Sequence, residues 1–198
     1  TTVLLAAGSS RRMGAANKLL LPIDGVPMIS RIVSVYSEVT DGEILVVRGH
    51  EAAEVEAAVR GTRVRCVRNA DHENGQAKSV ACGLRHAEKS DLLLIGLGDQ
   101  PLLCADDLRG LIASHKASNP DKISIPRRKD VRGNPIVVPA SLHARLLADP
   151  MRPGCKHFTR AHSEHVQFVE MRASGFFADV DTPEDYAALR EQPMEAVA

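Results

Sequence analysis

Tryptophan is absent and aromatic residues make up only 3% of the chain, so its core has to be built from aliphatic side chains. The four cysteines, Cys66, Cys82, Cys104 and Cys155, are scattered with no CxxC pair. That spacing argues against a zinc ribbon or a disulfide scaffold and fits reduced, mostly buried thiols in a cytoplasmic protein. His157, His162 and His165 crowd one polar stretch, but without nearby cysteines or the helical histidine spacing of a zinc protease, so no metal is expected there. No apolar run approaches membrane-spanning length. Formal net charge is zero, with 25 basic and 25 acidic residues, and no overall basic field invites nucleic acid. Thr1-Thr2-Val3 runs straight into an apolar stretch, and no signal peptide is expected there. Both common nucleotide fingerprints are missing, GxGxxG as well as GxxxxGK followed by Ser or Thr, which turns the reading away from dinucleotide folds and P-loops.

What is present alternates. Apolar runs at 3–5, 43–47, 63–67, 91–97, 122–126, 135–138 and 165–171 read as strands. Between and after them, segments 27–38, 51–60, 75–87, 106–117, 141–148, 154–161 and 183–190 carry helical patterning. The last opens with Thr182 as cap, Pro183 in the first turn and Glu184 and Asp185 beside it. The run DLLLIGL at 91–97 is apolar almost throughout, as a central strand covered on both faces requires. The alternation predicts a three-layer α/β fold with a mostly parallel central sheet. One domain is expected over residues 1–190, with 191–198 as a frayed tail. In such sheets ligands sit beyond the carboxyl ends of the strands, so polar residues at strand ends are the place to look.

Three stretches stand out there. The first is VLLAAGSSRRMGAANKLLLP at 3–22. A strand opens into Ala6-Ala7-Gly8-Ser9-Ser10, small residues that let backbone approach a ligand, and Arg11, Arg12 and Lys18 follow. Backbone N–H groups cradling phosphate oxygens, with fixed cations to neutralise them, suit a triphosphate. The second is Gly98-Asp99-Gln100-Pro101, directly after the most buried strand. A carboxylate at that place suits Mg²⁺ bridged to substrate phosphates; the alternative is a cap for the next helix. The third is Asp179-Val180-Asp181-Thr182-Pro183. Its alternate acids point to one side of an extended segment, Asp181 is the favoured second metal ligand, and the alternative is that it supports the last helix N-terminus.

Together, LAAGxSxRMG followed by Lys18, the GDQP after a central strand, the Arg132-Gly133-Asn134-Pro135 turn and DVDTPED occur in this order across nearly the whole chain. They resemble the molybdenum cofactor cytidylyltransferase family, of the group with a Rossmann-like nucleotidyltransferase fold. The resemblance implies transfer of CMP from CTP to the phosphate of molybdopterin with Mg²⁺, releasing pyrophosphate, and a molybdoenzyme as possible recipient of the product. It further implies that Ala6, Ala7, Gly8, Ser10 and Arg12 hold the nucleotide, that Lys18, Arg12 and Asp99 are catalytic, and that Asp99 and Asp181 hold the metal. Asn69, Gly75 and Ser79 fall in the family's segment near the nucleotide, a plain helix cap being the competing reading for Ser79. Arg132, Gly133 and Asn134 face the acceptor by the same resemblance, with Arg127, Arg128 and Lys129 either adding charge for its phosphate or forming a solvated hairpin. Ala6-Ala7 where guanylyltransferase relatives carry LAGG favours CTP over GTP. Guanylyl transfer, cytidylyl transfer to another phosphate monoester, a pyridine-nucleotide oxidoreductase and a cofactor-carrying module are the alternatives.

Overall fold

The computed structural model describes residues 1–14, 16–151 and 153–191. The expected tail therefore lies, beyond Glu191, outside the described residues.

Apolar β1 (Thr2–Ala6) leads through two short 3₁₀ turns to a tight two-stranded hairpin, β2 (Pro22–Ile23) and β3 (Val26–Pro27), then to α1 (Met28–Ser37). Next come β4 (Ile44–Arg48), α2 (Ala52–Ala58), β5 (Val64–Arg68), α3 (Gln76–His86), β6 (Leu92–Leu97) and α4 (Ala105–Ala117). The second half runs β7 (Ile123–Arg128), β8 (Val131–Arg132), β9 (Ile136–Pro139), α5 (Ala140–His143), α6 (Cys155–Ala161), β10 (Val166–Glu170) and α7 (Pro183–Arg190).

The main sheet is ordered β10-β7-β9-β6-β1-β4-β5, with β8 paired to β7. Strands β6, β1, β4 and β5 are mutually parallel, and β10 is parallel to β7, while β9 runs antiparallel to both β6 and β7. Strand alternation sorts the aliphatics to two faces. Leu4, Ile44, Val46 and Leu94 meet α1, α2 and α4 on one side, in a core that includes Ile32, Val55 and Leu108. Val3, Leu5, Leu45, Leu93, Ile95 and Ile125 meet α3, α5 and α6 on the other, with Val80, Leu142 and Phe158. The three-layer, mostly parallel, Rossmann-like arrangement expected from the sequence is thus the observed one. Among the described residues no helix is long and apolar enough to cross a membrane.

Local departures have local reasons. The 51–60 helix is shorter than expected because Glu51 takes φ +44°, leaving α2 to begin at Ala52. The expected helix at 141–148 splits into α5 and a 3₁₀ turn, Ala144–Leu147. The charged turn at 127–134 is partly strand: β7 runs on to Arg128 and returns as β8 through Lys129 at φ +56°.

Chain direction creates the site. From β1 the chain crosses to β4 and β5 on one flank, then returns to β6 on the other. The carboxyl ends of β1 and β6 therefore lie side by side at a topological switch point, where crevices open in this class of sheet. Leu5 pairs with Leu97 there, and the Gly98 N–H donates to the Leu5 carbonyl at 2.9 Å.

Candidate active site

At this switch point a cleft of about 390 Å³ opens, within the range of small-molecule sites. Its floor and one wall are Ala6, Ala7, Gly8, Ser9, Ser10, Arg11 and Arg12. The loop is shaped from within. Ser10 sits at φ +49°, its carbonyl accepts from the Met13 N–H at 2.8 Å, and its hydroxyl accepts from the Lys18 N–H at 3.2 Å. Asn17 caps the following turn by accepting from the Leu19 N–H at 3.1 Å. The backbone of Lys18 is thereby fixed, and its side chain projects back toward the strand ends.

There it meets both acids singled out from the sequence. Lys18 Nζ lies 2.5 Å from Asp99 Oδ2 and 2.7 Å from Asp181 Oδ1. Arg12 Nη2 lies 2.7 Å from Asp181 Oδ2. Residues 163 positions apart meet because the segment carrying Asp181 is stitched to the one carrying Asp99. The Val180 N–H donates to the Asp99 carbonyl at 2.9 Å, and the Phe176 carbonyl accepts from the Gln100 side-chain amide at 3.2 Å and the Asn134 N–H at 2.9 Å.

Neither acid is spent on a helix. Asp99 precedes α4 by several residues, and that helix is capped by Cys104 with Asp107. The α7 cap is a Thr182–Asp185 box, in which Asp185 Oδ2 accepts from the Thr182 N–H at 2.8 Å and also from the Asp181 N–H at 3.0 Å. The Asp181 carboxylate is left to face the cleft.

Electrostatics follow from these contacts. Burial alone would lower the Lys18 ammonium, but the charge of Asp99 and the hydrogen bonds it donates to both carboxylates outweigh that and hold its pKa above the ordinary value. Burial alone would raise Asp181, but Lys18 and then Arg12 hold it below the usual carboxylate range. Asp179, open to solvent on one side, is raised to about 6, first by desolvation and then by the charges of Asp99 and Asp181. Asp99 keeps one oxygen, Oδ1, buried with no hydrogen-bond partner. Beneath it lies the buried Tyr36 ring, admitted because position 96 is glycine: a Cβ there would stand 2.1 Å from the Tyr36 hydroxyl.

The opposite wall comes from the start of α3 and the turn before it: His72, Glu73, Gly75, Gln76 and Ser79. Gly75, at φ +95°, makes the turn into the helix. Ser79 lines the cleft, whereas Asn69 is buried behind it, donating to the Ser79 hydroxyl at 3.0 Å and accepting from the Asp71 N–H at 3.0 Å. Asn69 thus orients Ser79 and the turn. His72 carries no signal in the sequence. Its place depends on Gly49 across the fold, where a Cβ would fall 2.5 Å from the His72 Cβ.

Arg132, Gly133 and Asn134 do not line the cleft. Arg132 donates to the Thr159 hydroxyl at 3.0 Å and lies 5.4 Å from the Phe168 ring centroid. Gly133 presses against the 176–177 segment, where a Cβ would stand 2.6 Å from the Phe176 carbonyl oxygen. Gly133 and Asn134 thus form a seam with the 176–177 segment that leads to Asp181. The three histidines of 157–165 sit elsewhere: His162 and His165 pack beside Phe158, with ring centroids 4.7 and 6.0 Å away.

Comparison with known proteins bears on the fold and the family. The chain is 29% identical over 197 residues to nicotine blue oxidoreductase from Paenarthrobacter nicotinovorans, covering 96% of this chain and 95% of that one. It is 31% identical over 198 residues to the purine catabolism protein PucB of Bacillus subtilis (strain 168), covering 95% and 94%. A solved nucleotidyl transferase from Methanothermobacter thermautotroptrophicus superposes with a TM-score of 0.79 at 29% identity, over 96% of this chain and 95% of that one. A family model for the MobA-like NTP transferase domain matches residues 2–166, and the chain belongs to that family.

Proposed function

We propose that this protein transfers CMP from CTP to the phosphate of a molybdopterin-type cofactor and releases pyrophosphate. The observation that carries the reading is the convergence of Lys18, Asp99 and Asp181 beside a small-residue loop at the carboxyl ends of β1 and β6. A phosphate monoester is already an anionic nucleophile, so the site needs alignment and charge neutralisation more than a general base. The acceptor oxygen forms a bond to the α-phosphorus as the bridging bond to the β-phosphate breaks, and the electron pair leaves with pyrophosphate.

Each group has a part. The N–H groups along 6–10 cradle the triphosphate, Arg12 neutralises its charge, and Lys18 moves onto the transferred phosphate. Gly75 and Ser79, on the opposite wall, meet the nucleoside or ribose. The donor set fits Mg²⁺: two carboxylates offering hard oxygens, one of them with a buried oxygen lacking any partner, the remaining ligands being substrate phosphates and water. Asp99 and Asp181 would hold the ion, and when bound it withdraws charge from the α-phosphate and the departing pyrophosphate.

CTP is favoured over GTP by Ala6-Ala7 in the loop. A cytoplasmic setting accords with four cysteines that are all free thiols, and the product would pass to a molybdoenzyme. The name of one relative raises a pyridine-nucleotide oxidoreductase as a second reading. Against it stands a site whose fixed cations and acids suit phosphoryl chemistry, on a chain without GxGxxG. Incubation with α-phosphate-labelled CTP or GTP and molybdopterin tests the proposal. Label on the pterin from CTP is the expected result; label from GTP alone would assign guanylyl transfer, and oxidation of NADH without label transfer would favour the second reading.

A further inference from the structure

The two acids that would hold a metal are already paired with cations. Lys18 and Arg12 set two positive charges against the two negative charges of Asp99 and Asp181, with three of the four carboxylate oxygens in contact with a cation. The fourth, Asp99 Oδ1, is buried. The Lys18 ammonium bridges the pair, in contact with Asp99 Oδ2 and Asp181 Oδ1. A divalent ion held by those two oxygens at about 2.1 Å, the usual Mg²⁺–oxygen distance, would compete with Nζ for the same two acceptors. Two cations sharing one pair of oxygens repel strongly. The ammonium and the metal are therefore alternatives.

We infer that Lys18 is a built-in counter-ion that holds the carboxylate pair closed to divalent metal until a triphosphate draws its ammonium away. What moves is confined to the side chain. The backbone of Lys18 is tied by the Ser10 hydroxyl and the Asn17 cap, whereas the four-carbon stem swings on rotatable bonds. Its destination is the cleft that its own tip and the 6–12 loop line together. Nucleotide and metal then bind with positive coupling, because the ligand that removes the ammonium opens the acids. Metal without nucleotide is held weakly, which keeps the site from binding stray cations. The nucleotide half of this inference rests on the transferase reading; the competition between Lys18 and metal does not.

The test is Mn²⁺ binding to the nucleotide-free protein, read from the loss of the free-ion electron paramagnetic resonance signal. Lys18→Met, close in size but uncharged, should bind Mn²⁺ at least tenfold more tightly than the wild type. Lys18→Arg should show no gain, and Asp99→Asn added to Lys18→Met should abolish it. The melting midpoint of Lys18→Met should rise with Mn²⁺ while the wild-type midpoint stays put. Equal Mn²⁺ affinity in the wild type and Lys18→Met would overturn the inference. Should Lys18→Met fail to fold by circular dichroism, the wild type alone decides. Water-proton relaxation should show Mn²⁺ held at least tenfold more tightly with α,β-methylene CTP than without it, and equally tight binding in its absence sinks the idea. If α,β-methylene CTP gives no binding heat, the transferase reading fails, while a gain in Lys18→Met still upholds the counter-ion.

Discussion

Two basic regions of this molecule use their charge differently. Around the cleft, Arg12 and Lys18 meet acids that line the same cavity as they do. Around the β7–β8 hairpin the arginines are engaged at the surface by other side chains. Arg127 pairs with Glu170 at 2.7 Å and lies 4.7 Å from the Phe168 ring centroid. Arg128 lies 4.6 Å from the Phe177 ring centroid, and Arg132 donates to Thr159. Cation–ring contacts of this kind contribute about 0.5–1 kcal/mol each where exposed. Similar residue types thus line a cleft in one place and brace a hairpin in the other, and the partners decide which.

That contrast breaks most visibly at Asp99. Asp99→Asn should reduce pyrophosphate release by more than about 10³-fold, the scale of losing a key electrostatic group, with an unchanged circular dichroism spectrum. Full activity in that variant would remove Asp99 from the chemistry. Lys18→Ala should lower kcat by about 10²-fold while KM for CTP moves only a few-fold, because the ammonium acts where charge develops. Equal loss in both would make Lys18 a ground-state anchor. Arg12, the most exposed member of the cluster with 66% of its side chain open, should cost about tenfold in kcat/KM when changed to Ala.

A stability effect sharpens the comparison next. The carboxyl of Asp181 is depressed on folding, despite burial, by Lys18 and Arg12. Its contribution is therefore present above its ordinary value of 3.8 and lost as pH falls through the lower folded value. Asp181→Asn should lower stability at neutral pH by on the order of 1 kcal/mol. The gap in thermal midpoint from the wild type should close toward pH 3. A gap that widens in acid would contradict the assigned sign. The smallest effect belongs to the brace: Arg127→Ala should change CTP turnover by less than about twofold, as expected for an exposed pair. A tenfold loss of CTP binding there would erase the difference between the regions.

Much of this was legible in the sequence, for reasons that differ by element. Strands such as Leu92–Leu97 announce themselves because burial on both faces demands an unbroken apolar run. The three site motifs were legible because a strand end followed by small or acidic residues is a local pattern. What stayed hidden is tertiary. Nothing in the run around Lys18 says that its ammonium lies between Asp99 and Asp181 and shares both. His72 could not be read because its place depends on Gly49, and the hydrogen bond by which Asn69 orients Ser79 joins residues ten apart. The sequence left the hairpin arginines open between a phosphate patch and a solvated turn, because Phe168, Phe177 and Glu170, which engage Arg127 and Arg128, lie about 40 to 50 residues away along the chain.

The most direct test of the central claim, that the Lys18–Asp99–Asp181 cluster is a nucleotidyl-transfer centre, is pyrophosphate release from CTP and, separately, from GTP, with Mg²⁺ and a molybdopterin-type cofactor supplied. The account predicts release with CTP that requires the cofactor and disappears in Asp99→Asn. No release with either nucleotide, from protein shown to bind them, would contradict it.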